Sequence, residues 1–69
     1  MNLASFRKSM GVSQEWLANK MDLTQVTISR YEQGIHKPSL SFYYHLAYIF
    51  RHTTKELADK LDGEFVPRD

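Results

Sequence analysis

The chain has 69 residues, 42% of them hydrophobic, with no cysteine and a formal net charge of +1. That length allows one small domain with a limited core, and the missing thiols exclude a disulfide framework or a thiolate metal site. No apolar run approaches the roughly 20 residues of a membrane-spanning helix, and the N-terminus lacks the apolar centre of a signal peptide, so a cytoplasmic protein is expected.

Taken in chain order, the residues fall into helical pieces and show no period-2 alternation. Leu3, Phe6 and Met10 recur at helical spacing, and Gly11 follows as a left-handed cap. Ser13 can cap a second helix, whose inward face is Leu17, Ala18 and Met21. Thr24 can cap a third helix, which Gly34 ends before the loop GIHKP. Ser39 can cap a fourth, with Leu40, Tyr43, Leu46, Ala47 and Phe50 on one side. Thr53 and Glu56 have the spacing of a capping box, Leu57 and Leu61 face inward from the fifth helix, and Gly63 stops it. The pattern predicts a compact all-α domain of five helices over residues 1–62. The aperiodic tail 63–69 is expected to be loose or docked on a partner.

The connection MDLT (21–24) is too short for a relaxed hairpin, so the helices on either side must cross steeply as a helix-turn-helix over about residues 14–33. Asp22 is the residue expected to turn left-handed there, because aspartate tolerates that conformation better than most side chains. Leu23 then plugs the corner, and small Ala18 lets the helices approach. At about 100° per residue, Thr24, Thr27, Ile28 and Tyr31 share one side of the third helix. Gln25, Val26, Ser29, Arg30 and Gln33 share the other. That second side is unsuited to a core and is not the lysine–glutamate mixture of a plain solvated face.

Its composition suits base edges. Glutamine pairs with adenine through two hydrogen bonds, arginine with guanine, and valine meets the thymine methyl. A helix fits the major groove, and its N-terminal residues reach deepest in this motif. Gln25, Val26 and Arg30 are the base-reading candidates, with Ser29 as a secondary one. Charge is distributed consistently: residues 1–52 hold six Lys and Arg against three Asp and Glu, while residues 53–69 hold three against five. A mildly basic body with an acidic end can present one side to a polyanion.

The run VSQEWLANKMDLTQVTISRYEQGIHKPS (12–39) resembles the Cro/CI-type (XRE-type) helix-turn-helix family, which includes the lambdoid phage repressors. Gln14, Leu17, Ala18, Lys20, Ile28, Ser29, Glu32, Gly34, Pro38 and Ser39 carry the likeness, with Leu46, Ala47 and Phe50 in the fourth helix. The resemblance implies a lambda-repressor-like fold. It gives Gln14 a grip on phosphate and a bracing role toward Gln25, and matches Gln25, Val26 and Arg30 to base-reading positions. Ser13, Thr24, His36 and Lys37 match contacts to the DNA backbone. Capping by Ser13 and Thr24 can coexist with that role. Arg7 and Glu32 match a partly buried structural ion pair. Asp22 and Trp16 depart from the family, which usually has glycine and a polar residue there. The second domain of larger repressors is also absent from this sequence.

Three histidines, His36, His45 and His52, lack ligand spacing, so no metal and no cofactor is expected. His45 and His52 read as surface residues. No nucleophile–base set or phosphate-cradling glycine loop points to an enzyme. Trp16 can cover helix one or form part of a partner surface. Tyr44 and Tyr48 fall one turn apart beside Ile49, which suggests a homodimer face on helices four and five, extended by Phe65 and Val66. The sequence thus predicts a double-stranded-DNA-binding transcriptional regulator, a small prokaryotic or phage repressor acting as a dimer on a pseudo-palindromic operator. The alternative is an antitoxin-like or adaptor module that uses the same fold to hold another protein.

Overall fold

The computed structural model describes residues 1–67; Arg68 and Asp69, the end of the expected tail, lie outside the described residues. Five helices follow one another: α1 (Leu3–Ser9), α2 (Gln14–Met21), α3 (Gln25–Gln33), α4 (Leu40–Ile49) and α5 (Thr54–Lys60). Each starts where a side-chain oxygen receives an otherwise orphaned backbone N–H. Asn2, Ser13, Thr24, Ser39 and Thr53 accept from Ser5, Trp16, Thr27, Phe42 and Glu56 respectively. At α5 the Glu56 carboxylate reaches back to the Thr53 N–H at 3.0 Å, completing the capping box read from the sequence. Caps of this kind contribute about 1 kcal/mol each, a large share of the stability of helices this short.

The helix ends share a device as well. In α1 to α4 an amide beyond the last turn reaches a carbonyl five residues back: Val12 to Arg7, Leu23 to Ala18, Ile35 to Arg30 and His52 to Ala47. Each closure needs a left-handed residue just before it. Gly11 and Gly34 fill that position after α1 and α3, whereas Asp22 (φ 57°) and Arg51 (φ 56°) fill it after α2 and α4. The left-handed turn at Asp22 is therefore as expected; the one at Arg51 has no sequence signal, since arginine carries no preference for that conformation.

These turns gather one core: Leu3, Phe6, Leu17, Ala18, Met21, Ile28, Phe42, Tyr43, Leu46, Ala47, Leu57, Leu61 and Phe65. The inward faces expected for α2 and α5 are all there. In α4, Leu40 and Phe50 are only half-buried, and Phe42, which the expected face omits, is buried instead. Phe42 earns its place through edge-on contacts with Tyr31 at 5.0 Å and Tyr43 at 5.5 Å.

The tail differs from its expectation. After the left-handed pair Asp62 and Gly63, the chain folds back and Phe65 stacks on Tyr43, with ring centroids 4.4 Å apart and planes 6° apart. Phe65 is 7% exposed, so it belongs to the protein's own core rather than to a partner face, while Val66 is exposed. Burying a phenylalanine stabilises by about 1.5–3 kcal/mol, enough to hold a short aperiodic segment in place. Glu64 adds a contact from its carboxylate to the Tyr43 hydroxyl at 3.4 Å.

Candidate nucleic-acid interface

The corner between α2 and α3 sets the interface. Asp22 turns the chain, the Leu23 amide closes on the Ala18 carbonyl at 2.9 Å, and half-buried Leu23 packs on the core. Ala18 is buried, 3% exposed, on the inward face of α2. Ile28 points inward from α3 and is fully buried. Thr27 and Tyr31 are half-buried on the same side, whereas Thr24, assigned to that side by angle, is exposed because it acts as the cap.

With Ile28 fixed inward, Gln25, Val26, Arg30 and Gln33 are carried outward and lie exposed. Val26 is 57% exposed, although it is the most apolar of the four. An isolated surface valine means little, but here it sits between Gln25 and Arg30 on a helix edge that packs on nothing. Ser29 is half-buried and accepts a hydrogen bond from the Gln33 amide at 2.9 Å, which leaves its hydroxyl proton available. His36 and Lys37 are exposed in the loop that leaves α3.

A polar chain ties this edge to the interior. The Arg7 guanidinium donates from Nε to Glu32 Oε2 at 2.6 Å and from Nη2 to Glu32 Oε1 at 3.2 Å. Its Nη1 donates to the Val12 carbonyl at 2.8 Å, so one side chain joins α1, the α1–α2 turn and α3. The two side chains are 10% and 6% exposed. Gln14 Nε2 also donates to Glu32 Oε1, at 3.0 Å, and its Oε1 faces Gln25 Nε2 in a long contact of 3.5 Å. The run Arg7–Glu32–Gln14–Gln25 thus reaches from a buried ion pair to the exposed edge. Burial by itself would raise the Glu32 carboxyl, but hydrogen bonds from Arg7 and Gln14 and the charges of Arg7 and Lys8 hold it below the ordinary glutamate range.

The chemistry left over on Gln25 is what adenine recognition needs. One amide proton faces Gln14; the other proton and the carbonyl oxygen remain for N7 and the N6 amino group. Ser13 and Thr24 use oxygen lone pairs to cap, at 3.0 Å and 3.1 Å from the amides they receive. Of the sequence-derived site residues, the structure brings Gln14, Gln25, Glu32 and Arg7 into one chain of contacts, with Arg7 and Glu32 paired in a part-buried setting. Tyr44 and Tyr48 lie one turn apart on α4, with Ile49 next in sequence to Tyr48. Tyr48 and Ile49 line a groove with Trp16, and half-buried Tyr44 is not among its lining residues.

Sequence reasoning missed the Gln14–Glu32 bond and the setting of His52. His52 is half-buried, with Nδ1 at 2.9 Å from the Phe50 carbonyl and Nε2 at 2.7 Å from Lys60 Nζ. It also meets the Phe6 ring edge-on at 5.7 Å, so it joins α4 to α5 rather than lying free on the surface. Trp16 leans on Phe50 at 5.9 Å, and Phe50 in turn meets Phe6. Phe50 thus links Trp16 to helix one.

Five capped helices, a left-handed corner between the second and third, and a polar outward edge on the third define a helix-turn-helix domain. The family model described as helix-turn-helix matches residues 3–47, from the start of α1 into α4. The chain belongs to this family, the XRE-type helix-turn-helix proteins of Cro/CI type, which are DNA-binding regulators. Comparison with curated proteins gives no match, and comparison with solved structures gives none either. Among the described residues, no helix is long and apolar enough to cross a membrane.

Proposed function

We propose that the protein is a sequence-specific regulator that lays α3 in the major groove of duplex DNA, acting as a repressor in a prokaryotic or phage setting and therefore in the cytoplasm. Gln25, Val26 and Arg30 read base edges, with Ser29 assisting. Ser13, Gln14, Thr24, His36 and Lys37 hold the sugar–phosphate backbone and fix the register. Two copies occupy a pseudo-palindrome, one half-site each, with α3 helices about one turn, roughly 34 Å, apart.

The observation that carries this reading is the bracing of Gln25 through Gln14 to the buried Arg7–Glu32 pair. A solvent-facing glutamine gains nothing from such fixing. A base-reading one does, because each rotor fixed before binding lowers the ordering cost of the complex.

Arg30→Ala and Lys37→Ala separate the roles. Arg30→Ala weakens the cognate site by about 1–3 kcal/mol and relaxes preference at one base pair. Lys37→Ala weakens cognate and random duplexes alike and lowers the salt slope by about one. Equal losses on both kinds of DNA for both variants would overturn the assignment. A second, compatible reading as an antitoxin-like or adaptor module is favoured by the groove beside Trp16, on a side of the domain that DNA recognition does not use.

A further inference from the structure

The groove between the ends of α2 and α4 has a volume of about 710 Å³ and is lined by Trp16, Lys20, His45, Tyr48, Ile49, Arg51 and His52. Its position removes it from DNA. Gln14 reaches toward α3, and Trp16 lies about 200° round α2 from Gln14, on the opposite side of that helix. Tyr48 and Arg51 stand at the end of α4 remote from the His36–Lys37 loop.

The chemistry of the groove has one sign. Its apolar floor is Trp16, Ile49 and Tyr48, and Tyr48 is 79% exposed. Its rim carries Lys20 and Arg51 with two imidazoles, and no Asp or Glu is among the described residues that line it. A basic rim on an apolar floor, turned away from the polyanion, calls for another source of negative charge.

We propose that this groove is a docking site for an acidic segment of a protein partner, one whose carboxylates meet Lys20 and Arg51 while an aliphatic or aromatic residue settles against Tyr48 and Ile49, beside Trp16. The site is separate from the α3 edge and does not depend on base reading there. Two other occupants fit less well. A second copy across a two-fold axis would set this patch against itself, and neither copy brings a carboxylate from the groove lining to meet the other's Lys20 and Arg51. A single strand of nucleic acid needs free aromatic faces in succession. The Trp16 ring is already engaged by Phe50 at 5.9 Å and by the Lys20 ammonium at 5.4 Å.

Trp16 is the only tryptophan in the chain, so its fluorescence reports on the groove alone. The full chain is titrated with a short peptide of glutamate, leucine and phenylalanine, with the same peptide carrying lysine for glutamate, and with oligo-dT. The acidic peptide should change Trp16 emission saturably, bind at least about tenfold more tightly than its lysine counterpart, and weaken as salt rises. Lys20→Glu should abolish that response while circular dichroism shows the helices retained. Tyr48→Ala, at an exposed position, should weaken it about tenfold and supplies a second readout if Lys20→Glu fails to fold. Three results would overturn the proposal: the two peptides behaving alike or not binding, oligo-dT binding in preference, or sedimentation showing a dimer that Tyr48→Ala separates.

Discussion

Replacing Glu32 by alanine leaves the Arg7 guanidinium with the Val12 carbonyl as its remaining hydrogen-bond acceptor, in a site where the side chain is 10% exposed. Removing one member of a buried ion pair costs about 3–5 kcal/mol, because the other charge stays desolvated. Native domains are stable by roughly 0.05–0.15 kcal/mol per residue, which for this length amounts to about 3–10 kcal/mol. Glu32→Ala therefore removes a third or more of the total, and Arg7→Ala does the same by stranding the carboxylate. Replacing both, as Arg7→Met with Glu32→Leu, restores stability to within about 1–2 kcal/mol of the wild type, since no charge is then left behind. Urea unfolding followed by circular dichroism gives all these values. If each single change cost less than about 1 kcal/mol, or the double change cost their sum, the pair would be acting as a solvated surface bridge and the reasoning would fail. The pair also has a pH signature. The Glu32 carboxyl is held below its ordinary value of 4.5 in the folded state, despite burial, by Arg7 and Gln14. Its contribution is thus complete above that value and is lost as pH falls through the lower folded one. Wild type should lose stability more steeply on acidification than Glu32→Gln.

Three further outcomes follow from the fold. Asp22→Gly relieves the left-handed backbone at φ 57° and should raise stability by about 1 kcal/mol, read as a shift in the urea midpoint; a loss would mean that the aspartate side chain stabilises the corner. Phe65→Ala should cost about 3 kcal/mol or more, because the ring is buried on Tyr43, whereas a loosely attached tail predicts almost no change. The Tyr43 hydroxyl is pushed up to about 12 by burial and then by Glu64, so its contribution is complete below the ordinary tyrosine value of 10.0 and is lost as pH rises through about 12. Ultraviolet absorbance should show this late ionisation, and Tyr43→Phe should remove it along with part of the alkaline loss of stability.

Most of the scaffold was legible because its signals are local. A serine or threonine before an apolar period marks a cap, glycine marks a left-handed stop, and both act within one turn of chain. The steep corner at Asp22 followed from the shortness of its connection, and the outward edge of α3 from the position of Ile28. The features that were not legible depend on chain segments meeting in three dimensions. Phe65 sits in a segment without periodicity, so its partner Tyr43 could not be inferred. Phe42 is buried because Tyr31 from another helix arrives over it. Arg51 turns left-handed because the closure from His52 to Ala47 requires it, with no composition signal. The family resemblance supplied the Arg7–Glu32 pair, but the added donation from Gln14 to Glu32 needed the crossing of α2 over α3. Tyr44 and Tyr48 follow one another by a turn of α4, as the helical angle gives; the groove that Tyr48 and Ile49 form with Trp16 was not legible, because it needs α2 and α4 to meet.

Selection of bound sequences from a pool of random duplex DNA, run at two salt concentrations, tests the base-reading edge of α3 most directly. The expected product is an enriched pseudo-palindrome with half-sites about 10 base pairs apart, retained at the higher salt and blurred at one position by Arg30→Ala. A pool that stays random, or a consensus unchanged by substitutions at Gln25, Val26 and Arg30, would contradict it.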